Sequence, residues 1–295
     1  MLRRLTMMEI GKLGNRLKIA LRIVLARRRI RHWQQSAAGT LAPVLAALAA
    51  TLRFRMSAPE RTWIRRIEAL RRQLLASDRI IERRFFGLPA EGSPEPAGLL
   101  QEGVVVSEPI ATTCRRASRQ YFWCLFLFRL VRELEPTIAI ELGTSLGISA
   151  AYQGSALELN QQGRLMTLEG DATLAKLSAG HLAELGLTRA LVVPGLFEAT
   201  LERVLEDNRP IDFSFVDAGK RYGDMNRALA TLKPYLVPGA VVVIDDIHWS
   251  AELAASWHTV RHDPAVQTSI DLEAMGVLII DPGAEDSTHI ELPIG

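Results

Sequence analysis

The apolar positions between residues 137 and 246 fall into short, nearly unbroken runs separated by longer mixed stretches. TIAIE (137–141), RLMTLE (164–169), RALVV (189–193), IDFSFVD (211–217) and AVVVIDD (240–246) are the β-rich runs. Between them, windows 146–159, 172–186, 197–207 and 222–236 have helical composition. Strands apolar on both faces, alternating with helices, predict a parallel sheet covered on both sides. Right-handed crossovers then make it doubly wound. A further helix, 250–262, precedes AVQTSIDL (265–272) and MGVLII (275–280). These last two runs lie too close for a crossover, so they predict an antiparallel hairpin at the sheet edge.

The amino-terminal pattern differs. Ile10, Leu13, Leu17, Ala20, Leu21 and Val24 recur three or four apart, with Arg16, Lys18, Arg22 and Arg29 off that stripe and ARRRIRHW following. A basic amphipathic helix of this kind can lie on an anionic membrane surface or bind an acidic partner, which makes residues 1–35 a candidate peripheral contact. The same stripe also fits packing on the rest of the chain or on a homodimer mate, and an Arg-rich, acid-poor start imitates a transit peptide. Residues 37–52 are Ala-dominated and interrupted by Pro43, short of the ~20 strongly apolar residues of a membrane span, and predict a buried helix. GLPAEGSPEPAGLLQEG (87–103) has linker composition. The expected organisation is a basic helical region over 1–86, a Pro/Gly-rich linker over 87–109 and an α/β domain over 110–295.

Charge sharpens this division. The net value of +2 hides 20 Lys/Arg against 5 Asp/Glu in residues 1–84, and 15 against 28 in the rest. An acidic α/β half, without an NPPY-like motif, argues against a nucleic-acid partner. Two cysteines, Cys114 and Cys124, make no disulfide framework, which points to a reducing, cytoplasmic setting.

Ligands of doubly wound sheets sit at the carboxyl ends of the strands. Here Glu141-Leu142-Gly143-Thr144-Ser145-Leu146-Gly147 lacks the middle glycine of a dinucleotide fingerprint and carries an acid before the first glycine. That carboxylate suits a cationic amino acid end. The next strand finishes in Glu169, which can accept hydrogen bonds from two ribose hydroxyls. Together they predict a nucleoside with a charged amino acid tail, a description that S-adenosylmethionine answers.

With ELGTSLGIS (141–149), TLEGD (167–171) and DDIHWS (245–250), residues 110–281 resemble class I S-adenosylmethionine-dependent methyltransferases. The resemblance implies a Rossmann-like sheet of seven strands with the last antiparallel, plus the basic helical arm outside it. It also implies cofactor contacts through Glu141, Gly143, Thr144, Ser145, Gly147, Ser149, Glu169, Gly170, Phe197, Glu198 and Asp217.

FVDAGKRY ends one strand at Asp217, and VVIDDIHW ends the next at Asp245 and Asp246. Neighbouring strands bring these carboxylates within about 5 Å, where they repel unless a cation intervenes. A hard ion such as Mg²⁺ or Mn²⁺ would serve. The arrangement resembles catechol-type and macrolide-sugar O-methyltransferases, which hold a divalent metal on such acids; the Asp-Asp pair is similar to the macrolide-sugar type. The alternative leaves Asp245 and Asp246 as helix caps and Asp217 as a cofactor-orienting group. Lys220 matches the D-x-x-K base of catechol-type and caffeoyl-coenzyme-A-type enzymes, or faces solvent without a role. His248 and Trp249 either line the acceptor pocket or pack. The resulting expectation is O-methylation of a small hydroxylated acceptor with divalent-metal assistance. Metal-independent N- or O-methyl transfer and a non-catalytic, cofactor-binding adaptor stand as alternatives.

Overall fold

The structure, a computed structural model, describes residues 22–85, 103–217 and 224–294. It opens with α1 (22–34), α2 (Leu41–Arg53) and α3 (Ala58–Leu75), followed by β1 (Ile80–Phe85) and β2 (Val104–Pro109). Then come α4 (Ile110–Ala117), α5 (Tyr121–Leu134), β3 (Ile138–Leu142), α6 (Ile148–Asn160), β4 (Arg164–Glu169), α7 (Ala172–Leu185) and β5 (Ala190–Pro194). The chain continues through α8 (Phe197–Asn208), β6 (Ile211–Val216), α9 (Asp224–Leu232), β7 (Leu236–Asp245), α10 (Ala251–Val260), β8 (Val266–Asp271), β9 (Met275–Ile280) and β10 (Thr288–Glu291).

Among the described residues, eight strands form the main sheet in the order β10-β8-β9-β7-β6-β3-β4-β5. β5, β4, β3, β6 and β7 are mutually parallel, as the run pattern predicts. β9 runs against both β7 and β8, so the expected hairpin inserts its second strand next to β7. One strand more than expected is present: β10 pairs parallel with β8 at the edge.

The sheet is covered on both faces. Ala139, Leu165, Phe213, Phe215, Val241 and Val243 face one core, which also takes Leu45, Ile67, Phe126 and Tyr152 from α2, α3, α5 and α6. Ile140, Met166, Leu168, Val242 and Ile244 face the other, with Leu205, Leu229 and Trp257 of α8, α9 and α10. Successive residues of a strand serve opposite cores, which is why each strand reads as an apolar run.

The amino-terminal region is not wholly helical. β1 pairs antiparallel with β2, from Ile80↔Pro109 to Phe85↔Val104. Its inward positions are Ile81 and Arg83, both buried, and Arg83 is neutralised by the equally buried Glu108. Charges on the inner face hide the strand pattern. α3 starts at a capping box in which Ser57 and Glu60 satisfy each other's backbone N–H. α2 is the buried helix expected of 37–52, with Val44, Leu45, Ala47, Leu48 and Leu52 inside. Among the described residues no single helix is long and apolar enough to cross a membrane; α2 and α3, bent by 71°, pass only as a pair and by length and composition alone.

In α1, Ala26 and Ile30 are buried, Arg22 pairs with Glu273 at 3.2 Å, and Arg29 Nη1 donates to the Glu291 carbonyl at 3.4 Å. The described part of the basic arm thus lies on the α/β domain. The first 21 residues, where most of the expected stripe falls, and residues 86–102, which include 87–102 of the expected linker, lie outside the described residues.

Candidate active site

The turn after β3 folds back over the end of β4: the N–H groups of Gly143 and Thr144 both donate to the Leu168 carbonyl, at 3.1 and 3.2 Å. Gly143 and Gly147 have φ of 102° and 84°, and Ser145, between them, adopts 47°. A side-chain-bearing residue in this region is uncommon and marks a constrained turn. A Cβ on Gly147 would meet Ser178 Cβ at 3.1 Å, so this helix start needs glycine for its φ and for closeness.

Glu169 holds the turn from the neighbouring strand. Its Oε2 accepts the Ser145 N–H at 2.7 Å and its Oε1 accepts the Asp171 N–H at 2.9 Å. Burial raises its pKa, opposed by those two bonds. The Ser145 hydroxyl is buried with no protein partner. The Gly195 N–H donates to the Glu169 carbonyl at 2.8 Å, bringing the turn before Phe197 and Glu198 beside the same strand end. Gly170 is half-buried between Glu169 and Asp171.

Glu141 has a different place from an open cleft. It is fully buried beneath the turn, with Oε2 accepting from Thr167 Oγ1 at 2.5 Å and Oε1 from Gln153 Nε2 at 2.9 Å. Burial pushes its carboxyl up to about 7, against hydrogen bonds from Thr167, Ser149 and Gln153. Thr144 Oγ1 lies 2.6 Å from Thr167 Oγ1, and Ser149 is buried. These three residues shape the turn from below.

The acid cluster adjoins the turn. Asp217 follows β6, and its N–H donates to the Leu142 carbonyl at 2.9 Å. Asp245 ends β7, and Asp246 follows with φ 55°. One ligand atom from each of the three carboxylates lies within 4.8 Å of the others. Neither Asp245 nor Asp246 caps α10; Ser250 does, accepting the Leu253 N–H at 3.2 Å.

A residue not foreseen from the sequence completes the cluster. Arg119, in the loop between α4 and α5, donates from Nε to Asp245 Oδ2 and from Nη2 to Asp246 Oδ1. Burial disfavours its charge, but Asp245 first, then Asp217 and Asp246, outweigh that and raise its pKa. Asp245 is raised to about 6, first by burial and then by Asp246, against Arg119 and a hydrogen bond shared with Asp217, which draw it back. The Arg119 carbonyl is held from behind by Arg71 Nη1 at 2.7 Å and by the Cys124 thiol at 3.4 Å. Asp245 Oδ1 is buried and has no hydrogen-bond partner.

The remaining expected residues are placed apart. His248 Nε2 is 2.7 Å from Asp271 Oδ2, which also accepts from Trp257 Nε1 at 2.8 Å, while Trp249 is exposed. Lys220 lies outside the described residues. The β1–β2 hairpin, also unforeseen, straps the donor side: the Arg84 N–H donates to Asp171, the residue that caps α7 through the Leu174 N–H.

Comparison with known proteins bears on this geometry. Residues 140–247 match a family model described as a methyltransferase domain. A comparison with curated proteins gives no match. Among solved structures, a Staphylococcus aureus protein provisionally named a caffeoyl-CoA O-methyltransferase is similar at TM-score 0.50 and 14% identity, over 63% of this chain and 93% of that one. An O-methyltransferase from Bacillus cereus in complex with SAH gives 0.47 at 19% identity, over 56% and 83%. An O-methyltransferase from Streptomyces achromogenes in complex with SAM gives 0.47 at 22%, over 56% and 82%. At 14% identity the likeness to the Staphylococcus aureus protein speaks to fold alone. Residues 140–247 are thus similar to a methyltransferase domain, and they span the parallel part of the sheet from β3 through β7.

Proposed function

We propose that this chain is an S-adenosylmethionine-dependent O-methyltransferase acting on a small hydroxylated acceptor. The supporting observation is contiguity: Asp217 is hydrogen-bonded to Leu142 at the glycine turn and contributes its carboxylate to the acid cluster. A donor pocket and a proton-accepting site therefore share one residue.

The turn fits the donor. Ser145 has an unpartnered buried hydroxyl, and Glu169 keeps lone pairs beyond its two backbone bonds for ribose hydroxyls. S-adenosylmethionine, when bound, supplies an electrophilic methyl group on a sulfonium. The chain's own contribution is to orient both reactants and exclude water, which supplies most of the rate in such a transfer. Asp217 and Asp245 can accept the hydrogen bond of an acceptor hydroxyl and take its proton as the oxygen is alkylated. The same acids would hold an amine as ammonium, with no lone pair to attack, so oxygen is the favoured acceptor. Lys220 stays the second candidate base.

The divalent-metal assistance expected from the sequence has a ligand set in Asp217, Asp245 and Asp246, but Arg119 already bridges two of the three. These residues do not fit a dication while Arg119 is between them. Calorimetric titration with S-adenosylmethionine tests the donor, and labelled donor against a panel of hydroxylated metabolites tests the acceptor. Binding of donor is expected together with label on oxygen. Tight NAD⁺ binding would overturn the donor reading, and donor binding without turnover on any acceptor would favour the adaptor.

A further inference from the structure

We infer that Arg119 is the resident cation of the acid cluster, standing where related metal-assisted sites would need a divalent ion, and that it aims Asp245 at the acceptor. The inference deepens the O-methyltransferase reading and rests on it for the identity of the acceptor, although the cation itself can be tested without turnover.

Three observations carry it. The guanidinium uses two different nitrogens on two different carboxylates, Nε to Asp245 Oδ2 and Nη2 to Asp246 Oδ1. A rigid, planar fork spanning adjacent acids supplies the neutralisation that their repulsion demands and fixes both carboxylates at once, whereas a lysine would bring the charge without that geometry. The loop that presents it is fastened from behind by Arg71 and Cys124 through its own carbonyl, so the arginine is built into the site. Finally, the arrangement satisfies Asp245 Oδ2 with Arg119 and leaves Oδ1 buried with no donor of Arg119 against it, in a carboxylate whose other neighbour is Asp217, so a hydroxyl entering the cluster meets an acceptor there. Asp246, in a left-handed conformation, is turned so that its carboxylate meets the same guanidinium.

Arg119 is therefore a positioning residue that acts through Asp245. A dication on these acids would sit against a guanidinium at contact range, and like charges there exclude one another. Mn²⁺ binding, followed through the paramagnetic resonance of the free ion, tests this on the full chain with no acceptor present. The wild-type protein is expected to take up no stoichiometric Mn²⁺. Arg119→Ala should gain a site at least about tenfold tighter by removing that repulsion, and Asp245→Asn in the same background should abolish it. Arg119→Lys, which keeps the charge, should gain none, and S-adenosylmethionine titration of each variant verifies that the domain is folded. One Mn²⁺ bound by the wild type and lost on Asp245→Asn would overturn the inference. So would a folded Arg119→Ala variant that gains no site. A missing S-adenosylmethionine interaction would instead count against the proposed function.

Discussion

Glu169 accepts the backbone N–H of Ser145 at 2.7 Å, tying the end of β4 to the glycine turn that follows β3. The acid proposed to bind the ribose and the loop it faces are thus one unit. Glu169→Ala removes both the acceptor for a ribose hydroxyl and the brace on the turn. S-adenosylmethionine affinity should fall by about 1–3 kcal/mol, measured by calorimetry. Glu169→Gln, which keeps one acceptor oxygen, should lose less. Equal losses in the two variants would mean that shape rather than hydrogen bonding sets the affinity.

Asp217 and Asp245 should separate in their effects. Asp217 touches the donor turn through its backbone and the acid cluster through its side chain, whereas Asp245 belongs to the cluster alone. Asp245→Ala is expected to remove turnover while leaving donor affinity nearly unchanged. Asp217→Ala keeps that backbone bond but is expected to harm both, because in the proposed reading its carboxylate faces the donor as well as the acceptor. Steady-state kinetics beside donor titration reads the difference, and unimpaired turnover in Asp245→Ala would remove that residue from the chemistry.

The pair Glu60–Arg129 joins α3 to α5 inside the protein, at 2.5 Å and with both side chains about nine-tenths buried. Arg129 also donates to the Arg55 carbonyl. Glu60→Ala strands a buried guanidinium and removes the capping box at Ser57, so a loss of about 3–5 kcal/mol is expected in urea unfolding. Replacing both partners with apolar residues of similar volume should cost less than the single change. If the single variant unfolds at the same urea concentration as the parent, the pair is not holding the helices together.

Glu141 links pH to stability. Its ordinary pKa of 4.5 rises to about 7 in the folded protein, first through burial. Between those values the folded state keeps a proton that the unfolded chain has released, so stability falls as pH rises through this window. Glu141→Gln cannot titrate and should lose that slope, even though its amide fits the Thr167 and Gln153 donors less well and lowers stability overall. Unfolding curves collected from pH 4.5 to 7 compare the slopes. Parallel pH dependences for parent and variant would assign the effect to another group.

The sheet was legible in the sequence because it is covered twice. Val241 and Val243 point to one core, Val242 and Ile244 to the other, and the four read together as one apolar run. The glycine turn and Glu169 were legible because their signals are local: left-handed positions, and an acid closing a strand. β1 and β2 were not, since Arg83 and Glu108 point inward and only their mutual neutralisation allows it. β10 was too short and polar, THIE, to stand out. At the acid cluster, the need for a cation was readable from three converging carboxylates. Its source was not: Arg119 lies 126 positions from Asp245 in the chain, within a segment of no distinctive spacing. Long-range charge pairing leaves no periodic trace.

The packing of α5 has a consequence for how this chain is made. Nine consecutive residues, Trp123 to Val131, are buried, and the partners that cover them include Val44, Leu45, Leu48 and Leu52 of α2. Synthesis delivers α2 and α3 first, while the helix they clasp emerges only after the intervening hairpin and its connection. Until then the leading segment carries an uncovered apolar face among many arginines, a state prone to association. The amino-terminal helices are therefore expected to complete their fold only when α5 arrives.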